Sequence, residues 1–514
     1  MKPDMELIKE NMRVNEAVLD SSTQKMVEGD IIVPDTKPDI LKILQVDAVS
    51  CITDKEVSDG SVDIKGRVDL KILYIPDSEK RCIKNIITSF EFEEEIANKR
   101  IDMEDTAVIN SSVERVEFSL INSRKLRIKS VVGFEYEIIK IKPLEIAVDT
   151  DEKLEIKRRT VTMQNSAGVS EFSFLIRDRI SVPAGQSSFG EVLKADYCIR
   201  DTEYKTMTGR VTAKGCVGVC ILYTDTNGNI EFCESEFPFT EIWEMEDVTE
   251  DCECDIEYQL DEGSLSVEED TDGDLREAAV SITVTAQVKA SETLEIDMID
   301  DCYAPYMETS LEREKLTLEE SAARPSVQNT VREVVEIPEG APAISSVYNV
   351  VTKPHITKAG IERNKLICEG RIEACILYVS ESAENPVYSV KKNIPFSYSL
   401  DCEADGDGLV PKLKAEIKHT GYNLNAAGEV ELRCILSINA NVIRKRDIEL
   451  ITSAETGESK SRAESKIVVY FVQSGDSLWE IAKRYGVPCG AISEFNELGD
   501  EKLRQGMRLL IPGK

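Results

Sequence analysis

Apolar and polar residues alternate with a period of two over long stretches of this chain, the pattern of β-strands that lay one face on a core. Three of these stretches match one another: Lys65 to Ile75 (KGRVDLKILYI), Lys214 to Thr224 (KGCVGVCILYT) and Glu369 to Val379 (EGRIEACILYV). Each runs from a Gly through alternating apolar positions to Ile-Leu-Tyr. Val68, Leu70, Ile72 and Tyr74 fall on one face, as do Val217, Val219, Ile221 and Tyr223, and Ile372, Ala374, Ile376 and Tyr378. Gly66, Gly215 and Gly370 are separated by 149 and 155 residues, and a second marker keeps the same register. The dipeptides Val33-Pro34, Val182-Pro183 and Ile337-Pro338 are also 149 and 155 residues apart. Each unit then ends in a β-rich half: Lys125 to Ile139, Glu277 to Val288 and Glu429 to Ile443. A repeat in this register predicts a mainly β chain with three tandem β-rich units over residues 1–150, 151–305 and 306–447. Short helical turns are expected after the first two prolines, around Asp39 to Leu44 and Ser188 to Leu193.

The pattern changes near the end of the chain. Residues 448–466 read as a flexible linker, because the run Ser453 to Lys466 (SAETGESKSRAESK) has too little apolar surface to fold alone. Beyond it, Val468 to Val472 is a short strand, and Ser474-Gly475-Asp476-Ser477 is a turn. Asp476 or Ser477 can cap a helix through Leu478, Ile481, Ala482 and Tyr485, which Gly486 ends. A second helix over Cys489 to Asn496 and a closing strand at Arg508 to Pro512 complete a small βααβ domain over residues 467–514.

Composition narrows the chemistry. The chain has 514 residues, 41% hydrophobic and 31% charged, enough to bury several cores, and a net charge of −34. Residues 467–514 hold six cationic and six anionic side chains, so the whole acidic excess lies upstream. So anionic a surface disfavours nucleic acid and anionic membranes as partners and leaves basic protein surfaces open. Met1 to Met12 carries no apolar core of a signal peptide, and no apolar run reaches the length of a transmembrane segment, which predicts a cytoplasmic protein. The fourteen cysteines include no CxxC pair and read as reduced, mostly buried thiols. At Cys252 and Cys254 neighbouring carboxylates are expected to raise the thiol pKa. With only His355 and His419, no zinc spacing, nucleophile motif or phosphate loop can be written, so neither a metal, a cofactor nor catalysis is predicted.

The run YFVQSGDSLWEIAKRYGV, the later Phe495-Asn496 and the ending LRQGMRLLIP together resemble the LysM family. That resemblance implies a ligand groove between the loops Gly475 to Leu478 and Asn496 to Gly499. It marks Ile467, Gly475, Asp476, Ser477, Leu478, Trp479, Asn496, Glu497 and Leu498 as groove residues or their neighbours. Trp479 reads either as cover for a tiny core or as an exposed aromatic anchor. The three β units followed by a terminal LysM resemble the SPOCS-domain proteins of endospore-forming Firmicutes. By that resemblance the protein is an adaptor that works in the mother-cell cytoplasm at the forespore surface. There its LysM module would dock on the coat morphogenetic ATPase, and its repeats on other coat proteins. The alternative is a LysM that binds peptidoglycan, another N-acetylglucosamine-containing glycan or its lipid-linked precursor. Cys489 and the acidic stretch Glu497 to Glu501 depart from the polar loops of sugar-binding LysM modules and weigh against that alternative.

Overall fold

The structure is a computed structural model that describes residues 6–78, 82–150, 154–380, 382, 386–404, 408–459, 467–499 and 503–513. The chain is mainly β. The first unit contains β1 (Leu7–Ile32), β2 (Ile40–Ser58), β3 (Ser61–Pro76), β4 (Lys84–Ala97), β5 (Thr106–Asn122) and β6 (Lys125–Thr150). They form two antiparallel sheets, β1-β6-β5 and β2-β3-β4, whose apolar faces meet in one core. The second unit repeats the arrangement with β7 (Glu155–Ser181), β8 (Glu191–Met207), β9 (Arg210–Thr224), β10 (Ile230–Glu244), β11 (Glu253–Glu268) and β12 (Glu277–Tyr303), as sheets β7-β12-β11 and β8-β9-β10. In the third, the long first strand is divided into β13 (Met307–Ala323) and β14 (Ser326–Val335). Pro325 lies in the break, where it has no N–H to give a ladder. Both pieces pair with β19 (Val430–Ser459), which also carries β18 (Leu409–Leu424), and β15 (Ile344–Glu362), β16 (Lys365–Ser380) and β17 (Val387–Asp401) make the second sheet.

Each letter of the repeated sequence has a physical task. Ile72, Ile221 and Ile376 are buried in the cores of their own units, together with the alternating residues before them. The glycines face a phenylalanine across the ladder, Gly66 opposite Phe92, Gly215 opposite Phe239 and Gly370 opposite Phe396. A Cβ at these positions would come within 2.4 to 2.5 Å of the ring, so the aromatic fills the space that the glycine leaves. The tyrosines are fully buried and tie down the loop after the apolar-Pro marker. Tyr74 donates to Pro38 O at 3.0 Å, Tyr223 to Ser187 O at 3.1 Å and Tyr378 to Pro342 O at 2.8 Å. At the marker itself, Lys37, Gln186 and Ala341 donate their N–H groups back to the carbonyls of Pro34, Pro183 and Pro338. These are tight turns, and the helical turns expected around Asp39 to Leu44 and Ser188 to Leu193 are absent. β2 takes up residues 40–44 and β8 residues 191–193; of the apolar side chains there, Ile40, Ile43, Phe189 and Val192 pack in the sandwich cores, whereas Leu44 and Leu193 face the other way.

The leucine of the marker points the other way. Leu73, Leu222 and Leu377 gather, with Leu193, Tyr348 and Val387, in a core to which all three units contribute. Beside it lies a buried charge. Gln45, Lys194 and Asn349 occupy equivalent positions, again 149 and 155 residues apart, and only the middle one is ionised. Lys194 is 4% exposed and its ammonium lies 2.5 Å from Asp47 of the first unit and 2.9 Å from Asp196. Gln45 donates to Asp47, and Asn349 to Asp196. Burial opposes the Lys194 charge, but the two carboxylates outweigh it and hold the pKa above the usual lysine range.

At the opposite end, the long strands leave their sandwiches as two-stranded ribbons. These pack together as a stem around Met12, Leu144 and Ile146 of the first unit, Val161, Met163, Ile296 and Met298 of the second, and Ile448 and Leu450 of the third. Ile299, Cys302, Ile451 and Ala454 extend it. The linker expected over residues 448–466 is therefore corrected. Residues 448–459 continue β19, paired with β13, because Ile448, Leu450, Ile451 and Ala454 are buried in the stem even though the average composition is polar. Residues 460–466 lie outside those described. Among the described residues no helix is long and apolar enough to cross a membrane.

Lys194→Met is expected to lower unfolding stability by roughly 3–5 kcal/mol, because two carboxylates lose the cation buried between them. Urea denaturation checks this, and a loss below about 1 kcal/mol would show that the network adds nothing to the junction.

Candidate functional site

The C-terminal module is built from β20 (Val468–Phe471), α1 (Leu478–Tyr485), α2 (Cys489–Phe495) and β21 (Arg508–Ile511). β20 and β21 pair antiparallel, Val468 opposite Ile511 and Tyr470 opposite Leu509. Val472, Ile481, Ala482, Val487, Ile492, Leu498, Leu509 and Ile511 form the core. Ser477 is the helix cap. Its hydroxyl accepts from Glu480 N–H, while the Glu480 carboxylate accepts from Ser477 N–H, both at 3.2 Å, a reciprocal capping box. Gly486 closes α1 in the left-handed region at φ 65°, and Gly475 takes φ 91° in the preceding turn.

Asp476 is engaged elsewhere than in capping. It accepts from Tyr470 OH at 2.6 Å and from Gln473 N–H at 2.8 Å, fastening the turn to β20. The Tyr470 hydroxyl and the Gln473 amide hold its carboxyl below the usual aspartate range. Asn496 plays the matching part on the other side. Its amide donates to Ile492 O and Leu510 O, and its oxygen accepts from Leu510 N–H at 2.6 Å, so the side chain stands in for another strand beside β21.

The expected groove residues therefore separate by task. Gly475, Ser477 and Glu497 are exposed, Asp476, Leu478 and Asn496 are half-buried, and Leu498 is core. Glu497 holds φ 53°, and the acidic residues 500 and 501 lie outside those described. Ile467, Val469 and Phe471 line one side of β20, facing away from the helices, and are 56%, 52% and 57% exposed. Leu510 lies opposite Val469 and extends the same face.

Trp479 is partly buried, packed against the module core on one side and engaged by the stem on the other. It packs edge-on against Tyr303 at 5.1 Å, and its indole N–H donates to Asp301 at 2.9 Å. Lys483, one turn further along α1, donates to both oxygens of Asp301 at 2.6 and 2.7 Å. Tyr303 OH donates to Val487 O at 2.9 Å, Tyr306 N–H to Gly486 O at 2.7 Å, and Cys489 N–H to Glu155 at 3.3 Å. The module is thus seated on the end of the stem, in place of the unoriented tether expected from the linker. Burial works against the Asp301 charge, but Lys483, Trp479 and Arg313 keep its pKa below the usual aspartate range. These seat residues carry no signal of their own in the sequence. Asp301 and Tyr303 end an ordinary strand, and Trp479 lies 178 positions from its carboxylate partner.

The fourteen cysteines are free thiols. Burial, then Cys252 and Asp255, pushes the Cys254 thiol up to about 12. Among the described residues no group of three or more His, Cys, Asp or Glu side chains is placed to hold a metal.

The family described as "SipL, SPOCS domain" matches the chain three times, at residues 39–121, 189–268 and 343–425, and the LysM domain matches residues 470–512. The chain thus has the SPOCS-plus-LysM architecture, three SPOCS-domain matches followed by a C-terminal LysM domain. Both are binding or scaffolding domain types, and the combination relates the chain to sporulation and the spore coat, with LysM a domain associated with glycans. An uncharacterized protein of Chlamydia pneumoniae is 49% identical over 45 residues, which are 9% of this chain and 12% of that protein. No solved structure matches the chain.

The Asp476 contacts contribute at pH values above the ordinary carboxylate pKa of about 4 and are lost only as pH falls through the lower folded value. Carboxyl NMR titration is expected to place Asp476 below the ordinary aspartate value, and a midpoint at or above about 4 would refute the turn geometry.

Proposed function

We propose that this protein is a non-enzymatic adaptor of spore-coat assembly, working in the mother-cell cytoplasm at the forespore surface, whose LysM module docks on the coat morphogenetic ATPase. The observation that carries the protein-docking reading is the apolar face of Ile467, Val469 and Phe471. Three adjacent large apolar side chains, each more than half exposed on a domain of fewer than fifty residues, suit a protein surface that excludes water. The acidic units upstream suit basic coat components, as opposite charge speeds encounter.

A second reading, a glycan or its lipid-linked precursor in the LysM groove, is favoured by the exposed backbone and small side chains at Gly475 and Ser477. The two readings use different surfaces, so one substitution separates them. Phe471→Glu is expected to weaken capture of the ATPase by the full chain about 30-fold, the size of a typical hot-spot loss. Binding of chitooligosaccharide, if present, would be unaffected. In sporulating cells a fluorescent fusion of the parent chain is expected to ring the forespore, and the Phe471→Glu fusion to be diffuse. Unchanged capture and unchanged ringing would sink the adaptor reading.

A further inference from the structure

The seat of the module shows which chemistry its helical face recognises. With the stem removed, that face offers two donors, Trp479 Nε1 and Lys483 Nζ, and two acceptors, the carbonyls of Val487 and Gly486, around the edge of an indole ring. The stem fills all four with one carboxylate, one tyrosine hydroxyl and one backbone N–H. The two sides of this contact are unequal. Asp301 also pairs with Arg313 at 3.0 Å, a residue of β13 that stays with the stem, so the carboxylate keeps a counter-ion when the module leaves. Lys483 and Trp479 are left without an acceptor, and the released module therefore selects for a carboxylate.

We propose that the stem end occupies, within the chain, a second protein-docking face of the LysM module. A partner takes this face by displacing Asp301 and Tyr303 with a segment of the same chemistry, an acidic residue beside an aromatic one. This inference rests on the reading that the module docks on a protein. In it, the face of Ile467, Val469 and Phe471 is open at all times and makes the first contact, whereas the face of Trp479 and Lys483 is closed until the stem lets go. The free protein is then held in a low-affinity state, because each binding event must first break the intrachain contact.

The test uses the full chain with Trp243→Phe, which leaves Trp479 as its one tryptophan. Two variants open the latch from opposite sides, Asp301→Ala from the stem and Lys483→Ala from the module. Both are expected to make Trp479 several-fold more accessible to acrylamide quenching, with circular dichroism confirming that the β-fold and module persist. Only Asp301→Ala is expected to bind the ATPase at least 10-fold more tightly than the parent, since it alone frees an intact face. Lys483→Ala opens the latch but lacks the cation that a partner's carboxylate needs, and it gains nothing. Equal gains in the two variants would overturn the proposal, as would parent-level affinity in an Asp301→Ala chain whose quenching has risen, or quenching unchanged in both. No ATPase binding by any chain, parent included, would overturn the functional reading together with the docking role of this face, whereas quenching, which needs no partner, judges the latch alone.

Discussion

A two-stranded ribbon cannot bury both of its faces, and that constraint organises this molecule. The long strands of each unit run beyond the sandwich that they help to build, and their free lengths carry Met12, Leu144, Ile146, Val161, Met163, Ile296, Met298, Ile448 and Leu450 into one shared core. None of the three ribbons would keep these side chains from water alone. Because the ribbons need one another, the three units become one body. Its far end is held by the shared core that contains Leu73, Leu222 and Leu377. The stem end, where β12 stops at Tyr303, becomes a defined platform on which the LysM module sits.

Charge is distributed to match. The chain's large acidic excess remains mostly on the surface, where water carries it, and the one lysine buried at the upper junction is matched by Asp47 and Asp196 from two different units. The repeat is therefore not symmetric where it matters. The positions equivalent to Lys194 carry neutral amides, Gln45 and Asn349, which donate to those same carboxylates, and Lys71 lies at the edge of the network 3.9 Å from Asp196, so the three units contribute unlike groups and the neighbours have a preferred arrangement. At the lower end Asp301 serves in the same way, between Arg313 of the stem and Lys483 of the module. A buried pair of this kind is a weak source of net stability but a strong source of position, because a misplaced partner leaves a charge without compensation. That carboxylate is one of the contacts that seat the LysM module, with those of Tyr303, Tyr306 and Glu155.

This arrangement gives the module two unlike surfaces. One, on the outer side of β20, is apolar and open. The other, along α1, is polar, aromatic and covered by the chain itself.

The period-two faces of β3, β9 and β16, the repeat spacing and the order of elements in the module are local properties, and they are legible in the sequence for that reason. Alternation shows which side chains share a face, and Ser477, Gly486 and Asn496 act within a few residues of themselves or on the adjacent strand. The same alternation misled at two places. Apolar residues after the prolines suggested helical turns where strands begin, and the polar average of Ser453 to Lys466 hid the buried Ile448, Leu450, Ile451 and Ala454 at and before its start. What local pattern cannot specify is which elements meet at long range. That Leu73, Leu222 and Leu377 share one core between the units, and that three ribbons share a stem, follow from packing of whole units. The sequence left Trp479 between core and anchor because both need an indole on one helix face. Tertiary structure decided the matter by bringing Asp301 and Tyr303 to it, since a hydrogen bond between residues 178 positions apart exists only once the stem has formed.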